Sequence, residues 1–182
     1  MRRAGGMLTL ATLLAAACGS GSPPAPPAAH AIRPLSPTEP AGNALRIAAF
    51  VQQQCIEQSR NKTVFEAGLR ASGWATSEML VNDNSRHGRV GSYGFPGGFI
   101  SSSFDSRSRG CLLAVDAPLA TPIEPLRDAL SGFGGRPAPG RQPGTVTWRW
   151  SGASGYDYLM DLTPGSGTDM ARISVFEMGP AR

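Results

Sequence analysis

The sequence predicts an α+β domain in which two N-terminal helices precede a central hairpin, a third helix and a C-terminal three-stranded antiparallel meander. Three observations support this prediction: an apolar stripe with helical spacing near residue 50, two sequences typical of helix starts, and alternation of apolar and polar residues after residue 145. A chain in which helices and antiparallel strands occur in separate runs is typical of the α+β class.

The first helix is predicted from apolar residues that share one helical face. These residues are Ala44, Ile47, Ala48, Val51 and Cys55. Asn43 precedes the stripe, and asparagine is a favoured N-cap because its side-chain oxygen accepts a backbone N–H bond. The pattern places Cys55 on the buried side of this helix.

Two capping boxes mark the starts of the second and third helices. They are residues 63–66, Thr-Val-Phe-Glu, and residues 121–124, Thr-Pro-Ile-Glu, the latter with proline at a favoured first helical position. Gly73 stands where a C-terminal capping glycine belongs. Trp74, just after it, is predicted to anchor the core.

Residues 82–110 are rich in Gly, Ser, Asn and Arg, and most of this segment is interpreted as loop. Within it, residues 99–104 are predicted to form a strand and residues 105–110 a turn. Residues 111–115, Cys-Leu-Leu-Ala-Val, are a short apolar run that suits a buried strand. These two strands make the central hairpin.

The C-terminal meander is predicted from alternation that continues through three strands, beginning with Thr-Val-Thr-Trp-Arg-Trp at residues 145–150. A fold about Ala153 puts apolar side chains opposite one another on one face and opposite charges on the other. The predicted pairs are Trp150 with Tyr156, Trp148 with Tyr158, Val146 with Met160, Arg149 with Asp157, Met160 with Ile173, Tyr158 with Val175 and Asp161 with Arg172.

The N-terminal end is typical of an export signal, with Arg2 and Arg3 before a short apolar run. The run ends in Leu-Ala-Ala-Ala-Cys18, which resembles the lipobox of bacterial lipoproteins. The resemblance implies cleavage just before Cys18 and acylation of its thiol, so that the protein contacts the lipid bilayer through Cys18. Secretory cleavage after Ala17 or Ala31 is the alternative, and it leaves the protein unanchored.

The sequence divides into three predicted parts. Residues 1–17 are the predicted signal peptide, residues 18–42 a tether rich in Pro, Ala and Ser, and residues 43–182 a single folded domain. In the Gram-negative members of this class an aspartate after the cysteine retains the protein at the inner membrane. Gly19 follows Cys18 here, which favours the outer membrane.

The charge of the chain argues against a nucleic-acid partner. The formal net charge is +4 and falls to +2 when Arg2 and Arg3 leave with the signal peptide. Nucleic-acid-binding proteins usually carry a dense basic patch, and this sequence has none. We therefore expect partners in the cell envelope.

The three cysteines have two roles in this interpretation. With Cys18 assigned to lipid, Cys55 and Cys111 form an even pair in an oxidising compartment, which predicts a disulfide. The alternative is two buried thiols that pack as small hydrophobic groups. The placing of these cysteines is also similar to that of small exported proteins of proteobacteria, which carry no assigned activity.

Histidine, the commonest side chain in general acid–base and metal chemistry, occurs only as His30 and His87. Neither has a partner at a ligand spacing, so we expect no metal and no cofactor. Asp157 and Asp161 share one predicted strand face and could flank a sugar as in a glycosidase, although each is predicted to face an arginine.

Two further groups are candidate binding surfaces. One is an aromatic set that can stack on carbohydrate or simply form the core: Trp148, Trp150, Tyr156 and Tyr158. The other is a set of arginines that can contact anionic envelope material or remain solvated: Arg86, Arg89, Arg107 and Arg109. The sequence thus favours a non-enzymatic envelope lipoprotein that binds a periplasmic protein or an envelope polymer. The alternatives are an inhibitor or immunity lipoprotein and, third, a cell-wall glycan hydrolase.

Overall fold

One antiparallel sheet of eight strands organises the chain, in the order β1-β2-β3-β4-β8-β7-β6-β5. The strands are β1 Ser77–Leu80, β2 Val90–Phe95, β3 Gly98–Ser103, β4 Arg109–Asp116, β5 Ala138–Pro139, β6 Val146–Ser151, β7 Tyr156–Thr163 and β8 Met170–Pro180. The structure, a computed structural model, describes residues 35–74, 77–80, 90–104, 109–153, 155–166 and 168–180.

Helices pack against one face of this sheet. They are α1 Pro40–Phe50, a π-helix Val51–Glu57 that continues it, α2 Lys62–Ser72, α3 Ala117–Ala120 and α4 Ile123–Ser131. The largest fully buried side chains come from both layers: Ile47, Phe50, Phe65, Leu69, Leu126 and Leu130 from the helices, and Ile100, Leu113, Trp148, Met160, Leu162 and Ile173 from the strands. The core therefore lies between the helices and every second residue of the central strands.

The predicted α+β layout is wrong. The central hairpin and the C-terminal meander are not separate units, because β4 pairs with β8 along its full length and joins them into one sheet. The prediction also lacked β1, β2 and β5. Part of the segment interpreted as loop, residues 90–95, is strand β2, which pairs with β3 through the turn at Pro96 and Gly97.

The predicted meander has the right strands and faces but the wrong register. Trp148 lies opposite Met160 and Trp150 opposite Tyr158, two residues away from the predicted partners. Met160 likewise faces Val175. A shift of two residues leaves every side chain on its predicted face, because the side-chain period of a strand is two.

The predicted charge pairs across the meander are not formed. Arg149 lies opposite Leu159, and Arg172 lies opposite Thr163. The aspartates are bonded to hydroxyls instead: Thr147 Oγ1 donates to Asp161 Oδ1 at 2.5 Å, and Ser151 Oγ donates to Asp157 Oδ1 at 2.6 Å.

The helix starts also differ from the predicted caps. Asn43 lies inside α1 and is fully buried, where its side chain accepts from the Ser36 N–H at 2.9 Å and donates to the Leu119 carbonyl at 3.1 Å. Asn61 caps α2 by accepting from the Val64 N–H at 3.2 Å. At the second capping box, Thr121 donates to the Ala117 carbonyl at 2.7 Å rather than capping α4.

Several predictions are confirmed. The apolar stripe of the first helix is buried along its length, ending with Cys55 at 3% exposure. Gly73 ends α2 with φ of 68°, and Trp74 is buried beside Phe50, with ring centroids 4.0 Å apart. Cys55 and Cys111 form the predicted disulfide, which ties the π-helix to β4.

The two edges of the sheet are short. β1 has 4 residues and β5 has 2, the second of which is Pro139, whereas the central strand β8 has 11. Among the described residues, no helix has the length and apolar character needed to cross a bilayer. The predicted signal peptide, Cys18 and most of the tether lie outside the described residues.

Candidate functional site

An open cleft of about 490 Å³ lies beside the end of the π-helix. This volume falls within the range of about 300–1,000 Å³ that is usual for small-molecule sites. Its apolar lining comes from Ile56, Phe133, Trp150 and Tyr158, and its polar lining from Gln52, Glu57, Arg60 and the turn residues Ser151, Gly152 and Ala153. The cleft therefore lies between the helix layer and the β6–β7 turn.

The π-helix aligns the polar wall of this cleft. Its backbone bonds join residue i to residue i+5, so side chains five apart are neighbours on the same side of the helix. Gln52 and Glu57 have this spacing, and Gln52 Nε2 donates to Glu57 Oε1 at 2.9 Å. On the inner side, Cys55 is held to β4 by the disulfide. Single turns of π-helix occur frequently at functional sites.

Stacked aromatic rings form the sheet side of the cleft. Trp150 and Tyr158 are cross-strand neighbours, with ring centroids 5.3 Å apart and planes inclined by 17°. Phe133, from the segment after α4, lies 6.4 Å from the Trp150 ring. Trp150 is only partly buried, so part of its ring borders the open space.

The structure divides the predicted aromatic set into two parts. Trp148 is fully buried and Tyr158 is 3% exposed, so these two belong to the core. Trp150 and Tyr156 are half-buried at its rim. The core interpretation is therefore confirmed for Trp148 and Tyr158, whereas Trp150 and Tyr156 pack against the core from its rim.

Arg60 is the central polar residue of the cleft. Its Nε bonds to Glu177 Oε2 at 3.0 Å, and its guanidinium carbon lies 3.8 Å from the centre of the Tyr156 ring. Burial by itself would lower the pKa of Arg60, but the Glu177 carboxylate and the Tyr158 hydroxyl raise it above its usual value. Arg60 thus stays charged, and its Nη2 is buried without a hydrogen-bond partner in the described part of the chain.

A second cavity of about 310 Å³ shares Trp150, Ser151 and Tyr158 with the first. Its remaining lining comes from Arg149, Asp157, Leu159 and Met178. The stacked rings of Trp150 and Tyr158 therefore form a wall that both cavities share.

Asp157 and Asp161 lie four residues apart on β7, which separates their Cα atoms by about 13 Å. Each carboxylate accepts a hydrogen bond from a hydroxyl of β6, Asp157 from Ser151 and Asp161 from Thr147. Both also alternate with Tyr158 along β7 and so belong to the face turned away from the helices.

Arg109 is the member of the predicted arginine set that the structure describes. It begins β4 and lies opposite Glu177, the carboxylate partner of Arg60. Arg86, Arg89, Arg107 and His87 lie outside the described residues. In the described ranges, no group of three or more His, Cys, Asp or Glu side chains is placed to share a metal ion.

A separate carboxylate, Glu66 of α2, has a shifted pKa. The Tyr93 hydroxyl, which donates to Glu66 Oε1 at 2.8 Å, holds the pKa of this carboxyl below its usual value, with help from Lys62 and against the opposing effect of burial. A lowered folded-state pKa stabilises the fold above the unfolded pKa of about 4.3 and ceases to do so as pH falls through the folded value.

We therefore expect Tyr93→Phe to lower the free energy of unfolding at pH 7 by about 1–2 kcal/mol, since a hydrogen bond to a partly exposed carboxylate is lost. The difference from the wild type should shrink below pH 4, as Glu66 becomes protonated. Urea unfolding at pH 7 and pH 3 measures both. A difference of equal size at the two pH values would contradict this assignment, and Glu66→Gln should weaken the same pH dependence.

No known protein family, curated protein or solved structure matches this chain.

Proposed function

We propose that this chain is a lipid-anchored lipoprotein of the bacterial cell envelope whose folded part is a non-enzymatic binding module. Its partner is a periplasmic protein or an envelope polymer, bound in the cleft at Trp150. The order of charged, apolar and small residues before Cys18 supports the lipid anchor, and Gly19 supports the outer membrane.

The observation that carries the binding role is the half-buried Trp150 at the rim of the cleft. Trp and Tyr are enriched at interfaces because one end of the ring is apolar and the other can contact water, and Trp and Arg are among the side chains that most often carry binding energy. Here Trp150 and Arg60 line one space. Their neighbours are fixed by the disulfide at Cys55 and by the stacked Tyr158, so the cleft is preformed.

Trp150→Ala should weaken retention of the envelope partner at least tenfold, because it removes the largest apolar surface of the cleft. The measurement uses full-length Cys18→Ala protein, immobilised and exposed to solubilised envelope extract. Phe176→Ala is the matched control: Phe176 is an aromatic residue of 40% exposure that lies opposite Leu159 on β7 and lines neither cavity. Equal retention by the Trp150→Ala and wild-type proteins would overturn the proposal.

The anchor has its own test. Mass spectrometry of the mature N-terminal peptide should find an acylated Cys18, and Cys18→Ala should abolish the modification. An unmodified terminus after Ala17 or Ala31 would refute the lipoprotein assignment and leave the binding role to be judged by the retention experiment.

A further inference from the structure

We infer that the cleft at Trp150 binds an uncharged saccharide, an inference that rests on the binding role proposed above. Three properties of the described residues lead to it: the balance of charge around the cleft, the hydrogen-bonding groups beside the aromatic ring, and the closure of the neighbouring strand edge.

The charges around the cleft cancel. Glu57 and Arg60 line it, Glu177 is bonded to Arg60 at 3.0 Å, and Arg109 lies opposite Glu177 in the sheet. The second cavity likewise holds one acidic and one basic side chain, Asp157 and Arg149. An anionic ligand would meet an arginine whose charge Glu177 already compensates, so the site favours a ligand without net charge.

The hydrogen-bonding groups suit hydroxyls. Arg60 lines the cleft with a side chain that is 30% exposed, and Glu57 offers carboxylate oxygens of which one accepts from Gln52. A donor and an acceptor on the same wall match a group that both donates and accepts, which a hydroxyl does. The planar side chains of Arg60, Glu57 and Gln52 can each contact neighbouring hydroxyls of one sugar ring.

The ring of Trp150 supplies the complementary apolar surface. Tyr158 stacks on it, which fixes its plane, and the part of the indole that borders the cleft remains partly exposed. A pyranose ring presents C–H groups on its faces and hydroxyls on its rim. Such a ring stacked on Trp150 directs its rim towards the π-helix wall, where the polar groups lie.

An extended peptide is the less suitable occupant. Peptides commonly add a strand to a free sheet edge, and β5 pairs only with Val146 and Thr147 of β6. The edge beyond those residues is occupied by the chain itself, because a Cβ placed on Gly135 would lie 2.3 Å from the Arg149 carbonyl oxygen. The backbone at Gly135 therefore covers the edge that a peptide would need.

The test is calorimetric titration of full-length Cys18→Ala protein with uncharged tetrasaccharides, namely chitotetraose, cellotetraose and maltotetraose. Tetragalacturonate serves as the anionic counterpart, and an extended neutral tetrapeptide as the peptide counterpart. We expect at least one uncharged tetrasaccharide to bind at least tenfold more tightly than tetragalacturonate and than the peptide. Trp150→Ala should weaken that binding at least tenfold, whereas Phe176→Ala should leave it unchanged.

Arg60→Lys separates recognition from folding. Lysine keeps the charge beside Glu177 but lacks the planar set of donors, so the far-ultraviolet circular dichroism should be unchanged and saccharide affinity should fall severalfold. Failure of all three uncharged saccharides to bind, or tighter binding of tetragalacturonate or of the peptide, would overturn the inference.

The two proposals fail in different ways. If the envelope extract still yields a component whose retention requires Trp150 and which protease destroys, the binding role stands and the saccharide assignment falls. If no retained component depends on Trp150, the binding role itself falls.

Discussion

Removal of the Cys55–Cys111 disulfide is expected to lower the free energy of unfolding by about 4 kcal/mol. The bridge joins residues separated by 56 positions, from the π-helix to the central strand β4. Closing a loop of this length restricts the unfolded chain much more than the folded one. Since a domain of this size is stable by only about 5–15 kcal/mol, the loss is a large share of the total.

The measurement is urea unfolding of the Cys55→Ala/Cys111→Ala double variant, followed by far-ultraviolet circular dichroism. Reduction of the wild-type protein should reproduce the effect. Cys18→Ala is the control, because Cys18 lies outside the disulfide loop and its replacement should leave the unfolding midpoint in place. An unchanged midpoint in the double variant would show that the bridge contributes nothing to stability.

Trp148→Ala is expected to destabilise the fold by about 3–5 kcal/mol, the range for truncation of a large aromatic residue in a core. Trp148 is fully buried, lies opposite Met160, and donates its indole N–H to Ser131 Oγ of α4 at 3.2 Å. Its loss removes the contact between β6 and the helix layer as well as the buried ring.

Trp150→Ala is the natural comparison, because the same side chain is removed two residues away. Trp150 is only partly buried, so this variant should lose no more than about 2 kcal/mol while losing the ligand. Urea unfolding of both variants, again by circular dichroism, gives the contrast. Equal destabilisation would mean that Trp150 is a core residue, contrary to its position at the rim.

The alternation in the C-terminal strands was sufficient to predict which residues are buried, but not how the strands align. A shift of two residues preserves every face. The shift between β6 and β7 arises at their turn, where Gly152 N–H bonds to the Tyr156 carbonyl at 2.8 Å and Gly155 has φ of 74°. The size of such a turn is not determined by the alternation of its strands.

Strand β2 was missed because its glycines resemble those of a loop. A Cβ on Gly91 would lie 2.7 Å from Tyr93 Oη, and a Cβ on Gly98 in β3 would lie 2.2 Å from the Ala114 carbonyl oxygen and 2.7 Å from the Phe95 ring. Glycine is present here because aromatic rings lie directly over the backbone, a close approach that strand glycines permit. The aromatic neighbours two and three residues away are the sequence signal that would have indicated it.

The candidate site was only partly predictable. Trp150 and Tyr158 belong to the alternating pattern, so their proximity follows from it. Arg60 and Glu177 are 117 residues apart, and no spacing rule joins them. The sequence also does not predict the π-helix. Its apolar residues have the spacing of an ordinary α-helix, and the wider turn depends on tertiary packing.

The short edge strands limit pairing between neighbouring molecules. A lipid anchor, as proposed, would confine many copies of the domain to one surface, where a long bare edge would template pairing between molecules and lead to fibrils. Here the outermost strands offer 4 and 2 residues, and Pro139 removes a donor from the shorter one. In the described part of the chain, such short edges would limit edge-to-edge pairing between copies that the proposed anchor holds at one surface.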